Sequence, residues 1–126
     1  MEARSTWILC VADSSSRLTH IARALRKAGY KVSMTSSPHR AVAMAAISSH
    51  LEVVVLDEDL IVAEESVAES IKAVKRIPVL LVCDGGPNGT VPNGVDLVTA
   101  NGSRQQIVAG VEKLLKAASA PARLAS

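Results

Sequence analysis

Val53-Val-Val-Leu-Asp57 is an unbroken apolar run that ends in a carboxylate. A short run rich in β-branched residues predicts a strand buried on both faces, which is the habit of parallel strands covered by helical crossovers. Ile8-Leu-Cys-Val-Ala-Asp13 repeats the form earlier in the chain. Two buried strands would then deliver an acid each to the same edge of one sheet. Further runs at Val79 to Cys83 and Asp96 to Ala100 fall where strands would recur between helices. The outline is a small parallel α/β domain whose chemistry lies at the carboxyl ends of its strands.

Working outward from these runs, the first strand covers about Trp7 to Val11, and Asp13, Ser14, Ser15 and Ser16 offer helix caps. Leu18, Ile21, Ala22, Leu25 and Ala28 recur at helical spacing, and Gly29 is the natural stop. A strand at about Lys31 to Thr35 leads through Ser36, Ser37 and Pro38 into a second helix ending near Ser49. After the strand at Glu52 to Leu56 comes an acidic loop, then a helix from about Glu64 to Arg76 with Val67, Ile71 and Val74 facing inward. Residues 84–95, rich in Gly, Pro and Asn, lack helical periodicity and read as loop. Asn101, Gly102 and Ser103 can cap a last helix to about Ala118, with Ile107, Val108, Val111, Leu114 and Leu115 as its apolar face. Residues 1–118 read as one domain and 119–126 as a flexible tail.

At 126 residues the chain is long enough for a real core. Aromatics make up only 2% and Phe is absent, so that core must be built from Ala, Val, Leu and Ile. The net charge of +2 is too small to argue for nucleic acid or an anionic membrane. No stretch approaches the length of a membrane span, and the amino terminus is unlike a signal peptide, so a cytoplasmic protein is expected. Cys10 and Cys83 both fall inside strands, where a thiol behaves as a small buried hydrophobe, and a disulfide is not expected on compartment grounds. His20, His39 and His50 share no metal-ligand spacing. Ser14 to Ser16 with His20 lack a nucleophile elbow, and the GGPNG loop lacks the Lys and hydroxyl of a phosphate-binding loop.

The segments 8–13, 53–57, 78–83 and 94–100 together resemble the receiver domain of bacterial response regulators over nearly the whole chain. The resemblance implies a flavodoxin-like three-layer sandwich with a five-stranded parallel sheet in the order 2-1-3-4-5, the helix between strands 4 and 5 being replaced by a loop. It makes Asp57 the candidate phosphoacceptor and Asp13 the surviving member of an acidic Mg²⁺-binding pair, with Ala12 at the position of the missing acid. Cys83 falls at the switch hydroxyl, Leu97 at the switch aromatic and Ala100 at the position of the missing lysine.

These departures matter because a carboxylate attacking phosphorus needs cations to neutralise the charge on the equatorial oxygens. Asp13 and Asp57 are expected to hold Mg²⁺ only weakly. The resemblance thus implies a stand-alone, atypical receiver-like module of two-component phosphorelay signalling. It would work by contact with a protein partner, a histidine kinase or a downstream signalling protein, and not as an ordinary enzyme. The alternative is a phospho-independent scaffold or homodimerisation module with the same fold. A third reading is an unrelated flavodoxin-like enzyme or small-ligand binder.

Overall fold

The computed structural model describes residues 6–57, 67–83, 93–99 and 101–119. In chain order the elements are β1 (Trp7–Val11), α1 (Ser15–Lys27), β2 (Lys31–Thr35), α2 (Pro38–Ile47), β3 (Leu51–Asp57), α3 (Val67–Val74), β4 (Val79–Val82), β5 (Leu97–Val98) and α4 (Arg104–Ser119). All strand pairs are parallel and the order is β2-β1-β3-β4-β5. This is the flavodoxin-like arrangement, with its topological switch point between β1 and β3.

The period-2 alternation of the strands sends side chains to two separate cores. Ile8, Cys10, Val53, Val55, Leu80 and Val82 pack with Ile21 and Leu25 of α1 and with Ile107 and Val111 of α4. Leu9, Val11, Val54, Leu56, Val79 and Leu81 pack with Ala41 and Ala45 of α2 and with Ala68 and Ile71 of α3. The sheet is the middle of three layers, and its aliphatic strands are covered on both faces as the composition requires.

Several boundaries differ from the expectation, each for a local reason. The α3 helix buries Val67, Ala68 and Ile71, while Val74 lies at the margin of that face and is 47% exposed, so its inward assignment is corrected. In α1 it is Ala24 that is buried; Ala28 lies beyond the last helical residue and is exposed. The chain turns there at Gly29, whose φ of 102° suits a residue without Cβ. The fifth strand begins at Leu97 and not at Asp96, whose carboxylate accepts the Val79 N–H at 2.8 Å in place of a strand carbonyl. Cys83 lies one residue past β4, not within it, and both cysteines are free. The last helix runs through Ser119, and residues 120–126 lie outside the described residues.

Most of the β4–β5 crossing, 84–92, also lies outside the described residues, as do the acidic loop at 58–66 and Ala100. The described end of the crossing is a turn with Gly94 at φ 86°. Gly94 lies against α3 so closely that a Cβ there would meet Ala68 C and Glu69 N at 2.7 Å. Asp96 completes the corner through Lys72 of α3, Nζ to Oδ2 2.6 Å. No described helix is long and apolar enough to cross a membrane.

Candidate functional site at the carboxyl edge of the sheet

Asp57 is the last residue of β3 and is fully buried. A buried carboxylate is costly unless a cation and hydrogen bonds compensate it. The compensation comes from Arg17, whose Nε donates to Oδ2 at 2.6 Å and whose Nη2 lies 2.5 Å from Oδ1. The topology makes this contact. β1 and β3 are neighbours with Val11 beside Leu56, so the helix that follows β1 opens over the end of β3. One hydrogen bond to Oδ2 and a close ion contact to Oδ1 set the planar guanidinium alongside the carboxylate edge, an approach that arginine offers and lysine cannot. The Arg17 side chain is 31% exposed, so the pair closes the carboxylate off while keeping one side wet.

The other candidate residues are distributed around this pair. Asp13 follows β1 on the same edge and is exposed, and Ala12 beside it is fully buried. Cys83 is half-buried and packs with the α2–α3 core, whereas Asp57 meets α1 on the other side. The Cys83 N–H donates to Thr99 Oγ1 at 3.1 Å, tying the ends of β4 and β5 together. Leu97 packs half-buried on the α1–α4 core. Ala100 lies outside the described residues. Among the described residues no group of three His, Cys, Asp or Glu side chains could hold a metal ion.

Beside the pair is a cleft of about 240 Å³ lined by Ser16, Arg17, His20, Ile21, Val82 and Gly102. Val82 is the β4 partner of Asp57 in the sheet register, so the cleft opens one strand away from the carboxylate. His20 is exposed and its Nε2 lies 2.8 Å from the Gly102 carbonyl oxygen, linking α1 to the β5–α4 turn.

Arg17 and Thr99 were not singled out from the sequence. For Arg17 a signal was present: a cation in the first turn of a helix opposes the macrodipole and calls for an anion nearby. Thr99 carried no such signal, since a Thr near the end of a strand is ordinary.

No family model matches the chain, and no curated protein matches it either. Solved structures do. The N-terminal domain of a response regulator/sensory box/GGDEF three-domain protein from Carboxydothermus hydrogenoformans is 23% identical, with 93% of this chain and 99% of that one covered at a TM-score of 0.76. The chemotaxis response regulator CheY4 of Vibrio cholerae is 20% identical over 88% of this chain and 99% of that one, TM-score 0.67. A structure of the phosphorylated P1 domain of CheA3 in complex with CheY6 from R. sphaeroides matches at 16% identity over 88% and 97%, TM-score 0.66. The chain therefore has the fold of response-regulator receiver domains.

Proposed function

We propose that this chain is an atypical receiver module of two-component signalling in the cytoplasm, which acts by binding a protein partner and catalyses no turnover of its own. Asp57 is its candidate phosphoacceptor, and the observation that carries the reading is the position of that carboxylate, buried at the end of β3 beside the switch point of a receiver fold. The structure of the phosphorylated P1 domain of CheA3 in complex with CheY6 supports a phosphorelay protein, such as a histidine kinase, as the class of partner. A downstream signalling protein or a second copy of the chain are the other partners open to such a module.

One observation favours the phospho-independent form of this function. Arg17 stands against both carboxylate oxygens, hydrogen-bonded to Oδ2 and 2.5 Å from Oδ1, so a phosphoryl donor would have to displace the guanidinium to reach them. Profiling the wild type and Asp57→Asn against the phosphorylated histidine kinases and histidine phosphotransfer domains of its genome tests the proposal. Transfer to Asp57 marks the acceptor form, and binding that Asp57→Asn leaves intact marks the phospho-independent form. If neither folded protein binds any of them, the two-component reading is wrong.

A further inference from the structure

A receiver site is served by a divalent ion next to the acceptor carboxylate, and the residues of this chain fit such an ion poorly. Mg²⁺ demands near-octahedral oxygen ligands, several of them waters. Among the described residues, Asp57 has no exposed surface, Ala12 has a methyl side chain, and the other carboxylate on this edge, Asp13, stands exposed. Both Asp57 oxygens already face a guanidinium at 2.5 to 2.6 Å.

We infer that Arg17 is a built-in counter-cation which stands where a divalent ion would, so that Mg²⁺ gains Asp57 only when Arg17 leaves it. This rests on reading Asp57 as the acceptor position of a receiver fold. The exchange is physically reasonable in both directions. Arginine keeps its charge at every pH a folded protein meets, it is less strongly hydrated than a metal ion, and its fork matches the carboxylate edge. An ion entering with Arg17 in place would meet a like charge at contact distance from the same oxygens. The alanine at position 12 and the guanidinium of Arg17 act in the same direction at this edge. Removing a carboxylate from the site and adding a guanidinium both shift the balance from a bound metal to a covalently attached cation.

The test is an amide NMR titration with Mg²⁺ alone, on the wild-type chain and on Arg17→Ala, with the double variant Arg17→Ala/Asp57→Asn as control. The wild type is expected to show no saturable shifts at Asp13 or Asp57. Arg17→Ala is expected to acquire them, with an apparent affinity at least about tenfold higher, a gain the double variant loses. Should Arg17→Ala be too unstable without metal, its melting temperature should rise with Mg²⁺ while that of the wild type stays put. Saturable shifts at Asp57 in the wild type overturn the inference and leave the acceptor reading standing. A folded Arg17→Ala that still ignores Mg²⁺ overturns both the inference and any metal-assisted acceptor chemistry. Saturable wild-type shifts are decisive without the variant.

Discussion

Arg17 holds the two oxygens of Asp57 at 2.6 and 2.5 Å across a separation of 40 residues, so the first turn of α1 is fastened to the last residue of β3. The same contact that satisfies a buried charge therefore also fixes the helix against the sheet edge where a partner would read the site. Removing one member of such a pair leaves the other charge buried.

Arg17→Ala is accordingly expected to destabilise the fold by about 1 to 3 kcal/mol, below the roughly 3 to 5 kcal/mol of a fully buried pair because the arginine is partly wet. Asp57→Asn added to it should recover much of the loss, since the uncompensated charge disappears. Urea unfolding of the two single variants and the double variant measures the coupling; additive losses would mean that the pair contributes nothing.

Gly94→Ala should cost about 2 kcal/mol or more, from positive φ together with a Cβ forced to 2.7 Å from the α3 backbone. Gly110→Ala is the contrast: there the new Cβ meets the Leu80 side chain at 2.8 Å, and the gain in helix propensity of about 1 kcal/mol opposes the clash. The denaturation midpoints should therefore fall clearly for the first and much less for the second.

Asp96→Ala deprives the Val79 N–H of its acceptor and Lys72 of its ion pair. The expected loss is about 1 kcal/mol, because the carboxylate is largely wet. Hydrogen exchange at the Val79 amide should accelerate more than at Leu81, which is placed deeper in β4.

Burial pushes the Cys10 thiol up to about 12 from 9.0, opposed only by the charge of Arg26. The folded state then keeps the proton that the unfolded state gives up, so this thiol's contribution to stability is fully present below pH about 9 and is lost as pH rises toward 12. Native alkylation at pH 8 should modify the half-buried Cys83 and spare Cys10 until the protein unfolds. Equal rates at both cysteines would contradict this placement.

The sheet was legible because its information is local. Apolar runs such as Val53 to Leu56 and Ile8 to Val11 can be read without knowing their neighbours, and the capping Ser37, which accepts from the Arg40 N–H at 3.2 Å, marks its helix directly. The edges were less legible, because side chains replace ladder bonds there, as Asp96 does at the start of β5. The positions of Asp13 and Asp57 followed from strand ends. The Arg17 contact did not, because Arg17 lies in a different element and only the crossing from β1 to α1 brings it over β3. Read in sequence, it is one more base on a helix that also carries Arg23, Arg26 and Lys27.

The most direct measurement is an amide NMR titration of the wild type with Mg²⁺ and beryllofluoride, a phosphoryl mimic, beside Asp57→Asn. With Arg17 in possession of the carboxylate, the account predicts that resonances of Asp13, Asp57 and Cys83 stay where they are. Shifts clustered at those residues and abolished by Asp57→Asn would contradict it, and would show an acceptor site open to metal and phosphate in the intact chain.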